Sequence, residues 1–107
     1  MSTKTEQITN EMITEWRELL IALQGEIADD YRCTDDPEDD QPGMCVTIGF
    51  TPETPENSAS WSYQTGDNSY TGGAYSHPHW AVVYLYRDSD CAGLADDAAS
   101  QIYDLLN

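Results

Sequence analysis

A stripe of apolar residues opens the chain. Its members recur at steps of four, four, three, four and four residues, the spacing of one face of an α-helix. The stripe consists of Ile8, Met12, Trp16, Leu19, Leu23 and Ile27. It predicts a helix of about seven turns, with Thr3 and Glu6 as a capping box at its start and an end between Ala28 and Arg32. The glutamates lie off the stripe, where they face solvent: Glu11, Glu15, Glu18 and Glu26.

The middle of the chain alternates between apolar and polar residues in the manner of β-strands. Residues 44–50 and 59–64 predict two strands, separated by a loop over 51–58 that contains two prolines. A turn at 66–68 folds the second strand back onto a short strand over 69–75. Residues 80–86 are apolar on both faces, which is typical of a central strand covered on both sides or of a strand in an interface.

A second apolar stripe near the end of the sequence predicts a final helix. Ser89 or Asp90 is placed to cap it, and its inward residues are Leu94, Ala98, Ile102 and Leu105. The order of helix, three or four antiparallel strands and helix predicts one α+β domain over residues 1–107. We expect Trp61 or Trp80 to be partly exposed. The expected core consists of Trp16, Leu20, Leu23, Val46, Ile48, Val82, Leu85, Ile102 and Leu105.

Residues 29–43 have no apolar period. They carry seven carboxylates against one arginine, with two prolines and a terminal glycine. Proline and glycine stop both helix and strand, and the carboxylates repel one another. The segment is therefore predicted to be a mobile acidic loop.

The net charge of the chain says more about its function than any sequence motif does. The chain has 20 Asp and Glu against 4 Lys and Arg, a formal net charge of −16. Such a surface repels nucleic acid and anionic membranes and attracts basic proteins. The three Trp and seven Tyr, together with the periodic apolar segments, favour a folded domain over disorder. We expect no signal peptide, since the first residues show no positive n-region followed by an apolar h-region, and no transmembrane segment, since no apolar stretch of about 18 residues occurs.

The residues that carry metal or catalytic chemistry are sparse. Cys33, Cys45 and Cys91 are odd in number and widely spaced, so we expect reduced thiols in a cytoplasm, with a bridge between the first two left open. His77 and His79 could share an ion on one face of a strand, but no third ligand stands at a specific spacing. No nucleophile elbow, catalytic cysteine signature or phosphate-binding loop is present. We therefore expect a protein that is not an enzyme and has no metal or other cofactor.

As a group, the carboxylates indicate a function that no single pair of them indicates. Duplex DNA presents one negative charge per roughly 1.7 Å of its axis, and a rigid surface of carboxylates can imitate that array. Tyrosines add amphipathic anchors of the kind found at the centres of interfaces. The residues predicted to contact a basic protein surface are Asp29, Asp30, Asp35, Asp36, Glu38, Asp39, Asp40, Glu53, Glu56, Tyr31, Tyr70 and Tyr75.

In size, acidity, lack of enzyme motifs and helix–sheet–helix order, the chain resembles the small anti-defence proteins of phages and mobile elements, such as anti-CRISPR and anti-restriction DNA mimics. The resemblance covers the whole chain as composition and layout. It implies an inhibitor in the host cytoplasm that occupies the basic nucleic-acid groove of a CRISPR effector or a restriction enzyme.

Three other interpretations stay open at this point. An immunity protein or antitoxin that covers a basic nuclease toxin would use the same electrostatics. A housekeeping domain of a halophile would carry many acids and few lysines to stay solvated in strong salt. The third is a metal-binding or enzymatic module built on His77 and His79.

Overall fold

The computed structural model of the protein describes residues 8–34, 36, 38, 40–51, 56–66, 68–73 and 79–106, with the backbone alone at 51, 56–58 and 106. One helix precedes and one follows, in chain order, a four-stranded antiparallel sheet, so the predicted α+β architecture is confirmed. The elements are α1 (Asn10–Gln24), β1 (Gly43–Thr51), β2 (Glu56–Thr65), β3 (Asn68–Gly73), β4 (His79–Tyr86) and α2 (Cys91–Leu106).

Helix α1 is shorter than the apolar stripe predicts. It has 15 residues, about four turns, because the stripe includes two residues that are buried without being helical. Ile8 and Ile27 are both 5% exposed, and they flank the helix at either end. Thr9 is the N-cap, and its hydroxyl accepts a hydrogen bond from the backbone N–H of Met12 at 3.2 Å. The predicted capping box of Thr3 and Glu6 lies outside the described residues.

The strands of the sheet are ordered β3-β2-β1-β4. Val46 of β1 lies opposite Trp61 of β2 on one side and Val83 of β4 on the other. Strand β4 is therefore an edge strand, and the prediction of a central position for it is wrong. Its alternate residues are buried and exposed in turn, because the helices cover one face of it and leave the other open.

The core lies between that covered face and the two helices. Leu20 of α1 and Ile102 of α2 are completely buried, as are Val46 and Ile48 of β1 and Leu85 of β4. Antiparallel residues that lie opposite each other point to the same face, so the register brings these side chains together. The core positions that the sequence predicted correctly are Trp16, Leu20, Leu23, Val46, Ile48, Leu85 and Ile102.

Two predicted core residues are exposed. Val82 is 37% exposed because it alternates with the inward-facing Ala81 and Val83 and so lies on the open face of β4. Leu105 is 52% exposed, because the buried stripe of α2 runs through Cys91, Ala95, Ala98, Ala99 and Ile102 and does not continue into the last turn.

The structure shows which of the two candidate residues, Ser89 or Asp90, caps α2. The carboxylate of Asp90 accepts a hydrogen bond from the N–H of Ala92 at 3.2 Å, and Asp90 therefore caps the helix. The hydroxyl of Ser89 instead accepts from the N–H of Tyr86 at 2.9 Å. Gln24 of α1 joins the same corner by donating to the carbonyls of Tyr86 and Ser89, both at 2.9 Å.

The outer edge of β4 is closed in part by a side chain. The Gln101 amide of α2 accepts from the N–H of Val82 at 3.1 Å and donates to its carbonyl at 3.0 Å. It therefore makes the two hydrogen bonds that a residue of a neighbouring strand would make. Capping of this kind protects a sheet edge from pairing with another chain.

All three cysteines are free thiols, so Cys33 and Cys45 are not bridged. Burial raises the pKa of both Cys45 and Cys91. These thiols are therefore protonated and weakly nucleophilic at neutral pH.

The hairpin of β2 and β3 depends on a glycine beneath an aromatic ring. Gly72 lies opposite Trp61, and a Cβ atom at this position would overlap the indole ring. We predict that Gly72→Ala destabilises the protein by about 1–3 kcal/mol, because the ring must leave its place. Gly25→Ala is the matched control: its Cβ would meet the Ala22 carbonyl oxygen at an ordinary 3.6 Å and its φ of −68° suits alanine.

Chemical denaturation of the two variants measures these differences. Gly25→Ala should leave the free energy of unfolding level or raise it by up to about 1 kcal/mol, since it restricts the unfolded chain. Equal stabilities for the two variants would show that Trp61 does not lie against Gly72.

Candidate interaction surface

The structure describes most, but not all, of the residues predicted to contact a partner. Glu56 is the first residue of β2 and is described by its backbone alone. Asp29, Asp30, Tyr31, Asp36, Glu38, Asp40 and Tyr70 are described in full. The predicted contacts that lie outside the described residues are Asp35, Asp39, Glu53 and Tyr75.

The first part of the acidic segment is tied to the rest of the fold. Asp29 forms an ion pair with Arg87, whose guanidinium also donates to the carbonyl of Ile27 at 2.8 Å. The carboxylate of Asp30 accepts from the hydroxyl of Thr65 at 3.0 Å. These two predicted contact residues therefore make contacts from the turn after α1 to the end of β2 and to the residue that follows β4.

The two ends of the segment meet at the sheet. Arg32 and Gln64 exchange backbone hydrogen bonds of 2.9 and 2.8 Å, and the N–H of Gly43 donates to the carbonyl of Tyr31 at 3.1 Å. The segment predicted as a mobile acidic loop is thus anchored at both ends. Its mobility between them stays a prediction.

Tyr31 and Tyr70 belong to one aromatic cluster on the covered side of the sheet. Tyr31 stacks on Tyr63 with ring centroids 3.7 Å apart and planes 10° apart. Tyr63 in turn lies 5.7 Å from Trp61 and 5.5 Å from Tyr70. A hydrogen bond with Tyr31 raises the pKa of Tyr63 to about 12, and partial burial adds to the effect. Tyr31 is therefore a packing residue of the hairpin, whereas Tyr70 remains 48% exposed.

The opposite face of the sheet carries the residues that sequence reasoning left out of the contact set. Trp80 is 49% exposed and Tyr84 is 51% exposed, with Val82 between them. We call Trp80, Val82 and Tyr84 the aromatic stripe. The apolar character of β4 on both faces was the sequence signal for the aromatic stripe. The central position predicted from that pattern is wrong, and the interface strand stays a prediction.

Acidic residues lie at both ends of the aromatic stripe. Asp36 and Glu38 line a cavity of about 350 Å³ with Tyr84 and Tyr86. Asp104 of α2 lines another, of about 410 Å³, with Trp80. The structure thus brings two of the predicted acidic contacts to the open face of the sheet.

A local turn fixes the orientation of the first acidic pair. The carboxylate of Asp36 accepts from the N–H of Glu38 at 2.9 Å, and the hydroxyl of Thr34 accepts from the N–H of Asp36 at 3.3 Å. Hydrogen bonds of this kind, from backbone to a side chain two residues away, are those of Asx and related turns.

Carboxylates elsewhere in the described ranges are also exposed. No charged or polar residue among those described is buried, and the pair of Asp29 and Arg87 is the one ion pair found among them. Within the same residues no three potential ligands come together as a metal site. His79 opens β4 opposite Phe50, and His77 lies outside the described residues.

The chain matches no known protein family, no curated protein and no solved structure. In the described parts of the chain, neither helix has the length and apolar character needed to cross a membrane.

The raised pKa of Tyr63 gives a direct test of the aromatic cluster. Tyr31→Phe removes the hydroxyl that forms the hydrogen bond, so we predict that the pKa of Tyr63 falls from about 12 toward its ordinary value of 10. Because the folded-state pKa is the higher one, this contribution to stability is complete below pH 10 and is lost as the pH rises through about 12.

Tyrosinate absorbance during an alkaline titration, assigned by NMR, reports the shift. Tyr84→Phe, on the other face, should leave the pKa of Tyr63 unchanged. An unchanged pKa in Tyr31→Phe would show that the Tyr31 hydroxyl does not raise the pKa of Tyr63.

Proposed function

We propose that the protein is a non-enzymatic inhibitor whose acidic surface occupies the basic nucleic-acid-binding site of a host defence complex, such as a CRISPR effector or a restriction enzyme, in the host cytoplasm. The observation that carries this proposal is the excess, among the described residues, of exposed carboxylates that have no cationic partner. Among the described residues one ion pair is present, against a net charge of −16 for the chain.

The spacing of charges on α1 supports mimicry of a phosphate backbone. Glu11, Glu15 and Glu18 are exposed, and their steps of four and three residues correspond to rises of about 6 and 4.5 Å along one side of the helix. One strand of DNA carries a phosphate for each roughly 3.4 Å of axis. A row of carboxylates at comparable density can replace phosphates in a basic groove, where it gains affinity from the same attraction.

The aromatic stripe favours a binding protein over a halophile's housekeeping domain. Strong salt favours acidic surfaces, but it gives no reason to expose Trp80, Val82 and Tyr84 side by side on one strand. Contiguous exposed apolar residues rimmed by polar ones mark interaction sites, and Trp and Tyr are the residues most enriched at binding hot spots.

Phage plating tests the proposal. The full chain is expressed in bacteria that carry a CRISPR or a restriction system and are challenged with a phage which that system blocks. For at least one system, plating should rise toward the level of a strain that lacks the system. Purified protein should also displace labelled duplex from the isolated complex. Unchanged plating across representative systems, with rescue of cells from a basic nuclease toxin instead, would favour an immunity protein.

Charge variants locate the contact. Asp36→Asn, Glu38→Gln and Asp40→Asn together should slow association with the defence complex by about tenfold at low salt and flatten its salt dependence. Thermal stability should stay level or rise, because self-repulsion is relieved.

A second variant removes the same charge from α1 by Glu11→Gln, Glu15→Gln and Glu18→Gln, and it tests whether the row of carboxylates on α1 makes contact instead of or in addition to the loop. The association rate at two salt concentrations is the measurement. A loop variant that associates as fast as wild type would exclude Asp36, Glu38 and Asp40 from the contact.

A further inference from the structure

We propose that the aromatic stripe, with the carboxylates at its two ends, is the docking site for an arginine-rich extended segment of a protein partner. The inference rests on the proposed function and names the surface and the chemistry through which it acts.

The shape of the open face suits an extended segment. In the sheet, Trp80, Val82 and Tyr84 lie opposite Gly49, Thr47 and Cys45 of β1, and these lie opposite serines of β2. Large side chains on β4 therefore stand beside small ones on the next two strands. Because Trp80 and Tyr84 are about half exposed, an extended chain laid over the open face can contact both rings along its length.

The carboxylates at the two ends of the aromatic stripe, which we call its rim, favour an occupant with positive charge. Asp36 and Glu38 line the cavity at the Tyr84 end, and Asp104 lines the one at the Trp80 end. Tyr84 follows Trp80 by four residues, or about 13 Å along a strand. Cationic side chains a few residues apart on an extended segment can therefore reach both ends.

Arginine fits this surface better than lysine does. Its planar guanidinium stacks on aromatic rings and binds carboxylates through two parallel hydrogen bonds, whereas the lysine ammonium is a compact and strongly hydrated charge. The stripe offers two exposed aromatic rings and carboxylates within one short strand length.

Two other occupants are disfavoured by features of the same strand. A second copy of the chain would bring another net charge of −16 against the same acidic rim. A strand added to the edge of β4 would need the backbone groups of Val82, which already bond to Gln101. The occupant therefore contacts side chains of the open face and is cationic.

The test uses the full chain and a synthetic peptide of about eight residues that alternates arginine and glycine, long enough to span the stripe and its rim. Val82→Thr with Tyr84→Thr removes the middle and one end of the stripe but keeps residues that favour β-strands. Ile21→Ala is the control, because Ile21 is 52% exposed against 51% for Tyr84 but lies on α1, outside both the aromatic stripe and the predicted contact residues. Thermal melting confirms that each variant is folded.

We expect the stripe variant to bind the arginine peptide about tenfold more weakly than wild type at low salt, and Ile21→Ala to bind it as wild type does. The peptide should shift the indole N–H resonance of Trp80, and a lysine peptide of the same length should bind more weakly. Equal affinities of wild type and the stripe variant would overturn the inference. A dimer in sedimentation that the stripe substitutions dissociate would also overturn it, because it would identify a second copy as the occupant.

The two proposals fail in different ways. If the stripe variant still binds the arginine peptide and still protects phage, the docking site is wrong and the proposed function stands. If wild type binds the peptide at the stripe but protects no phage, the docking site stands and the defence complex is the wrong partner.

Discussion

Packing of α1 and α2 against the same face of the sheet is the interaction on which the remaining features depend. A chain with a net charge of −16 repels itself in any compact state, and apolar burial has to exceed that repulsion. Trp16 and Leu20 of α1 and Ile102 of α2 meet Ile48 and its neighbours of the sheet in one core. Since no described charged residue enters this core, the described carboxylates are left on the surface. The second face of the sheet then has neither helix to cover it.

Helices and strands could be predicted from the sequence wherever burial of one face alone determines the spacing of the apolar residues. The stripe of α1 and the alternation of β1 are consequences of facing a core, so periodicity locates them. The same logic misplaced the ends of α1, because Ile8 and Ile27 are buried without being helical. Periodicity also carries no information on strand order. Strand β4 is apolar on both faces whether it is central or at an edge, and its position follows from pairing with β1.

The chemical character of the candidate site could be predicted from the sequence, but the positions of its residues could be predicted only in part. Composition identifies an acidic surface and aromatic anchors, but the side on which each residue lies depends on how residues 29–43 return to the sheet. That return stacks Tyr31 on Tyr63 and gives it a packing role, while it puts Asp36 and Glu38 beside Tyr84. These distances join parts of the chain that are far apart in sequence. No local pattern encodes them.

The order in which β4 and α2 form matters, because Gln101 of α2 closes part of the edge of β4. Val82 receives the Gln101 amide only after α2 has docked, and α2 follows β4 in the chain. During synthesis the edge of β4 therefore spends an interval uncapped, when an unpaired strand edge is open to pairing with other chains. High like charge on every copy protects the chain in that interval, because neighbouring nascent chains repel one another before the edge is closed. The acidity that we propose for binding a cationic partner thus also acts earlier, by keeping neighbouring nascent chains apart.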